Sequence, residues 1–135
     1  MKNSTTQLLD AAQKIQQNAY APYSKFKVGA AILANDNQVY TGCNIENASY
    51  PLGQCAEAGA IAAMIAAGTT HIDEVLVISP NDDICPPCGG CRQKLREFGD
   101  SNTIIHMATA KGEIQSINLA ELLPLAFEKS NLLDE

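Results

Sequence analysis

Cys55 and Glu57 stand two residues apart at the head of an Ala-rich stretch, and Cys88 and Cys91 stand three apart at the head of another helical pattern. A helix N-terminus leaves backbone N–H groups unpaired and carries about half a unit of positive charge, which favours thiolate over thiol. Residues three apart lie one helical turn apart, so the sulfurs of Cys88 and Cys91 point to one side. Zinc takes such thiolates readily, and three protein ligands leave a fourth position for water. Glu57, two residues beyond Cys55, can reach that water without being a ligand.

Other readings compete for the same cysteines. A closed structural zinc site needs a fourth ligand, which Cys43 or Cys85 could supply. The overlapping spacings Cys85-Pro-Pro-Cys88 and Cys88-Gly-Gly-Cys91 also permit a redox pair. Against the closed site, Cys85 precedes a proline and is biased to extended backbone ahead of the helix. Against the redox pair, Cys55 has a helix start of its own. The open, catalytic arrangement is favoured, with Cys43 and Cys85 as spare thiols. His71 and His106 have no partner at metal spacing and read as structural, and Asp82 and Asp83 as a solvated loop.

The elements that must carry these groups follow from periodicity. Leu8, Ala11, Ala12, Ile15 and Ala19 recur at helical spacing over 4–19, a pattern that Pro22 ends. Two strands over 26–33 and 38–44, joined at Asn35-Asp36-Asn37, form a hairpin. After a polar loop, 56–67 is apolar on every side and closes at Gly68, so it is expected to bury a face against a partner subunit as well as its own sheet. Strands over 74–79, 103–107 and 114–117 alternate with a helix over 91–98 that stops at Gly99. One or two helical turns over 119–127 are interrupted by Pro124. The order α-β-β-α-β-α-β-β-α predicts an α/β fold, a three-layer α/β/α sandwich around a five-stranded mixed sheet, as one domain over 1–135.

The 135 residues suit one domain of ordinary size, and 46% hydrophobic content argues against disorder. With 9 basic and 15 acidic side chains the net charge is −6, which offers no footprint for a nucleic-acid backbone. Met1–Asp10 shows no secretory pattern, and the apolar stretch over 58–68 is too short to span a bilayer. No membrane and no nucleic-acid partner is expected. The expectation is a cytoplasmic protein with reduced thiols, in which clustered cysteines serve metal or catalysis.

Taken together, Cys55-Ala56-Glu57 and Pro87-Cys88-Gly89-Gly90-Cys91 match the zinc nucleobase deaminase signature in its three-cysteine form. Three further segments accompany it: Ala21-Pro22-Tyr23-Ser24-Lys25-Phe26-Lys27-Val28-Gly29-Ala30, Gly42-Cys43-Asn44-Ile45-Glu46-Asn47-Ala48, and Glu121-Leu122-Leu123-Pro124-Leu125-Ala126-Phe127. With these the chain resembles, over nearly its whole length, the small homotetrameric type of the cytidine deaminase family. The resemblance implies zinc-dependent hydrolysis of cytidine and deoxycytidine to uridine and deoxyuridine with release of ammonia, a step of pyrimidine salvage.

Carried onto this sequence, it implies one catalytic Zn²⁺ per chain on Cys55, Cys88 and Cys91, with Glu57 as proton shuttle. Asn44 and Glu46 would bond the ribose hydroxyls within a substrate loop that also contains Ile45, Asn47, Ala48, Ser49 and Tyr50. Phe26 would pack on the pyrimidine, and backbone around Ala56 would read the base edge. Tyr50 and Phe127 would complete the site, Phe127 across a subunit boundary of a homotetramer. Related deaminases of aminoacyl nucleosides share the zinc pattern, but the intact Asn44-x-Glu46-Asn47 loop favours a free ribose. Polynucleotide deaminases usually use His as first ligand and need a basic channel. From a different class, the rival is a non-catalytic zinc-binding structural or interaction module, which would hold one zinc per chain and turn over no pyrimidine nucleoside. One position departs from the family: Ala58 stands where an arginine commonly follows the catalytic glutamate. Three thiolates on Zn²⁺ leave a net charge of about −1, so Arg92 is expected to compensate by bonding a ligand sulfur.

Overall fold

The computed structural model describes residues 4–133. Residues 1–3 and 134–135, the ends of the span read as one domain, lie outside the described residues. The elements follow the expected order: α1 (Ser4–Gln16), β1 (Gly29–Ala34), β2 (Val39–Cys43), α2 (Ala56–Ala66), β3 (Ile72–Ile78), α3 (Gly89–Phe98), β4 (Ile104–Ala108), β5 (Ile114–Asn118) and α4 (Leu119–Leu122). Short 3₁₀ turns occupy Tyr50–Leu52 and Lys129–Asn131.

The five strands form one mixed sheet in the order β2-β1-β3-β4-β5. Only β3 and β4 run parallel, and α3 supplies the crossover between them. Strand alternation divides the core in two. Ala31, Leu76, Ile78 and Ala108 face α1, where they meet Leu8 and Ala12. Ala30, Ile32, Val75, Val77, Ile105 and Met107 face the opposite layer, where they meet Ala60, Ile61 and Met64 of α2, Leu95 of α3, and Leu119 and Leu122 of α4. These are the three layers expected from the sequence.

The register places the future site. Gly29 pairs with both Cys43 and Ile78, so β2 and β3 end at the same edge of the sheet. The connections leaving those ends lead into α2 and α3, and both helices therefore begin near one another. Ligand sites in α/β folds favour this carboxyl edge.

Two element ends differ from expectation for reasons outside their own sequence. α1 stops at Gln16, and Ala19 is buried from a turn beyond the helix. β1 begins at Gly29, not at Phe26, because the Asn44 side chain claims the backbone of Phe26 and Val28. By contrast, α2 ends where expected. Gly68 takes φ 95°, and the N–H groups of Gly68 and Thr69 bond back to Ile65 and Met64, a Schellman closure. Among the described residues no helix is long and apolar enough to cross a membrane.

α2 rests on β2 at Gly42 with no room for a side chain. A Cβ on Gly42 would lie 2.3 Å from the Ala60 nitrogen and 2.5 Å from the Ala56 oxygen. Gly42→Ala is therefore expected to lower stability by about 3 kcal/mol, the upper part of the overpacking range, because the clash is with backbone. Since the displaced helix carries Cys55 and Glu57, zinc content should fall with it. Chemical denaturation and metal analysis of the purified variant check both.

Candidate active site

Cys55 is the N-cap of α2 and Cys88 the N-cap of α3, each in extended backbone, and neither side chain caps its helix. Their sulfurs are thus free to turn toward a shared point. Cys91, one turn into α3, is almost fully buried and shares its inward side with Leu95. The ligand atoms of Cys55, Cys88 and Cys91 lie within 4.8 Å of one another. No other group of three such residues gathers among the described residues, and Cys43 and Cys85 lie outside this one. A three-thiol cluster at two helix N-termini has the donor chemistry and spacing for a tetrahedral zinc with one position open.

Burial changes the protonation of these thiols from what helix position alone suggests. The Cys91 backbone N–H, above all, holds the Cys88 thiol below its ordinary range. Desolvation pushes Cys55 up, with the charges of Cys88 and Glu57 adding to the effect. Desolvation likewise pushes Cys91 far up, reinforced by Glu57 and Cys55. Three thiolates so close together repel one another, and a divalent cation removes that repulsion. The donor set therefore fits zinc.

Glu57 sits in the first turn of α2 and is 4% exposed. Burial raises its pKa above the ordinary carboxylate range, offset in part by hydrogen bonding from its own backbone and from Cys91. Such a shift suits a group that must both take and return a proton near neutral pH.

Beside Cys55 opens a cleft of about 470 Å³, lined also by Tyr23, Ser24, Asn44, Ile45, Glu46, Asn47, Tyr50, Gly53 and Gln54. Its wall is the connection from β2 to α2, folded back on itself. Ile45 pairs with Gln54 through both backbone bonds, at 2.9 and 2.8 Å, and Tyr20 brackets the same strand through Asn44 and Glu46. These bridges bring the polar residues at the start of the loop alongside the cysteine at its end.

Asn44, Ile45, Glu46, Asn47 and Tyr50 thus line one cleft with Cys55. Phe26, Ala48, Ser49, Ala56 and Phe127 do not line it. Phe26 is half-buried beside it, its carbonyl accepting from the Asn44 amide at 2.8 Å. Ala48 and Ser49 are exposed, and Ala56 is buried as the first residue of α2. Phe127 is exposed along α3, where Gln93 donates to its carbonyl and Arg96 pairs with Glu128. Tyr23, Ser24 and Gln54 line the cleft without having been singled out from the sequence. Their only signal was membership in, or adjacency to, the quoted motifs.

Arg92 corrects an expectation. Its Nε donates to the Pro87 carbonyl at 2.9 Å and its Nη1 to the Leu122 carbonyl at 3.1 Å, and it makes no bond to a cysteine sulfur. The side chain braces the turn that precedes Cys88 against α4, whose last residue, Leu122, has a carbonyl without a partner inside the helix. Arg92→Gln is accordingly expected to lower stability by about 1–3 kcal/mol, with one zinc per chain retained. Thermal unfolding and metal content check this, and zinc loss without destabilisation would return Arg92 to the sulfurs.

The two histidines stand apart from the cysteines. His71 lies near Asp73 and Asp100, and His106 is held between Glu74 and Ser116 on the α1 side of the sheet.

Comparison with known proteins agrees with this geometry. The family model described as the cytidine and deoxycytidylate deaminase zinc-binding region matches residues 2–107. A cytidine deaminase of Sporosarcina psychrophila is 39% identical over 125 residues, covering 93% of this chain and 92% of that protein. Another from Halalkalibacterium halodurans is 39% identical, covering 94% and 96%. The crystal structure of cytidine deaminase from Burkholderia pseudomallei superposes with a TM-score of 0.87 at 39% identity, covering 94% of this chain and 100% of that one. That of Mycobacterium tuberculosis gives 0.82 at 36% identity, covering 93% and 98%. With a three-cysteine cluster, a buried glutamate and matches of this extent, the chain belongs to the cytidine and deoxycytidylate deaminase zinc-binding family.

Proposed function

We propose that the chain hydrolyses cytidine and 2′-deoxycytidine to uridine and 2′-deoxyuridine, releasing ammonia, in a zinc-dependent reaction of pyrimidine salvage. The observation that carries this reading is the buried Glu57 beside three convergent sulfurs, one of which, that of Cys55, belongs to the lining of the cleft that holds Asn44 and Glu46. Zinc, held by Cys55, Cys88 and Cys91, supplies a Lewis acid that makes water acidic near neutral pH.

The chain's own residues do the rest. Glu57 accepts a proton from the attacking water and passes it to N3 of the base, which leaves C4 electron-poor. The water oxygen bonds to C4, the C4–N4 bond breaks, and Glu57 helps return a proton to the departing amine as ammonia. Asn44 and Glu46 hold the sugar so that C4 meets the water in one orientation. Loss of nucleoside absorbance on adding cytidine, with and without a chelator, tests the reading. Turnover should vanish with the metal, and no turnover on any pyrimidine nucleoside by protein holding one zinc per chain would overturn it.

The active form in this reading is a cytoplasmic homotetramer whose sites are completed by neighbours. Support comes from apolar surface left open on the single chain. Ala62, Ile65 and Ala66 of α2 are exposed, as are Leu125, Phe127, Leu132 and Leu133 near the C-terminus. Phe127 stands outside its own chain's cleft, as a residue serving another subunit would. A monomer in sedimentation at micromolar concentration would sink this assembly.

A further inference from the structure

Ser24 has no part in the reaction just described, yet three of the cleft's bonds run through it. Its hydroxyl donates to Glu46 Oε2 and accepts from the Phe26 N–H at 3.0 Å. Glu46 Oε1 accepts from the backbone N–H groups of Tyr23 and Ser24 at 2.9 and 3.2 Å. A carboxylate has about four acceptor sites. The turn at 23–24 fills three of them and leaves one, on Oε2, of a residue that lines the cleft.

The same segment is held from its other side by Asn44. The Asn44 Oδ1 accepts from the Val28 N–H at 2.9 Å, and its Nδ2 donates to the Phe26 carbonyl at 2.8 Å. Between them, Lys25 takes φ 63°, a left-handed conformation uncommon for a lysine, which lets the chain turn back from Ser24 to Phe26. Backbone strain of this kind persists only where surrounding bonds over-determine it. Here the bonds are those of Ser24, Glu46 and Asn44.

We propose that Ser24 is a positioning residue that sets sugar specificity: by occupying Glu46 it leaves a single acceptor for a single hydroxyl. On the sugar ring, the hydroxyl common to cytidine and 2′-deoxycytidine is the 3′ one, and a lone acceptor site that serves both must take it. Without Ser24 the Oε2 atom is free to hydrate and to turn, and the 3′-hydroxyl no longer meets a fixed partner. The inference rests on the reading that Glu46 meets the sugar.

The test compares kcat/KM for 2′-deoxycytidine and 2′,3′-dideoxycytidine, which differ only at that hydroxyl, in zinc-loaded wild type, Ser24→Ala, Ser24→Thr and Glu46→Gln. Ser24→Ala should lower the ratio at least tenfold, through a higher KM for 2′-deoxycytidine, with kcat and the dideoxy substrate changed less than about threefold. Ser24→Thr, which keeps the hydroxyl, should restore the ratio. Equal losses on both substrates would make Ser24 a packing residue and overturn the proposal. A ratio that collapses in Glu46→Gln but survives in Ser24→Ala overturns the role of Ser24 alone. A ratio that survives in Glu46→Gln overturns the sugar contact and this inference with it.

Discussion

Replacing Glu57 with Gln should lower kcat by about 10³–10⁴-fold, the upper part of the range for general acid–base groups, while one zinc per chain stays bound. The amide is nearly isosteric with the carboxylate and Glu57 is 4% exposed, so packing in the first turn of α2 is preserved. What disappears is a group that can hold a proton between water, N3 and the leaving amine. Wild-type kcat/KM should fall on the acid side as Glu57 takes up a proton, because its ionised form is the base. That limb should be missing from the residual activity of Glu57→Gln. Stability carries an independent signature. A raised folded-state pKa means that the folded chain binds more protons than the unfolded one between the two values. Its stabilising contribution is therefore complete below the unfolded pKa and lost as pH rises through the folded one. Zinc-free Glu57→Gln lacks this loss and should gain on zinc-free wild type as pH rises from acid toward neutral. Denaturation at several pH values reads the gain, and turnover retained to within tenfold would remove Glu57 from the proton path.

The parts of this site that could be read in the sequence are those set by local geometry. Cys55, Glu57, Cys88 and Cys91 owe their places to helix starts, and a helix start is encoded within a few residues. The sheet was legible for a similar reason: its strands alternate faces and its turns carry Asn37 and Gly112 where positive φ is needed. What escaped depends on partners far along the chain. Nothing near Phe26 signals that Asn44 will take its carbonyl and the Val28 N–H, and so the first strand was expected three residues early. Nothing near Arg92 signals that its guanidinium will donate to the Leu122 carbonyl, far along the chain, instead of to the sulfur of adjacent Cys91. Charge at the cysteines was misjudged in the same way. Proximity to a helix N-terminus is a local property and lowers Cys88, whereas desolvation is a property of the assembled core and raises Cys55 and Cys91.

That last difference has a measurable consequence for the metal. Zinc uptake near neutral pH should release about two protons or more per chain, because zinc binds thiolates and Cys55 and Cys91, both raised by desolvation, enter as thiols. Were helix dipoles enough to ionise all three in advance, almost none would be released. Proton release by an indicator in weakly buffered solution distinguishes the two cases. Affinity should follow, strengthening about 100-fold for each unit rise in pH across the neutral range, as release of two protons requires. Competition with a chelator at two pH values measures that slope, and a flat response would mean that the thiolates pre-exist. Cys91→Ala should abolish stoichiometric zinc and turnover together, because Cys91 is the buried member of the set and no other cysteine stands within reach of it to replace the lost sulfur. The same substitution puts the spare thiols to a test: zinc retained at one per chain would require Cys43 or Cys85 to enter the cluster. The cost of deprotonating two thiols that desolvation raises also explains why the ligands sit at helix starts despite incomplete ionisation. Each N-terminus lowers the energy of the thiolate that zinc will hold, and two such termini meeting at one point offset the excess negative charge of a three-sulfur site that lacks an arginine at position 58.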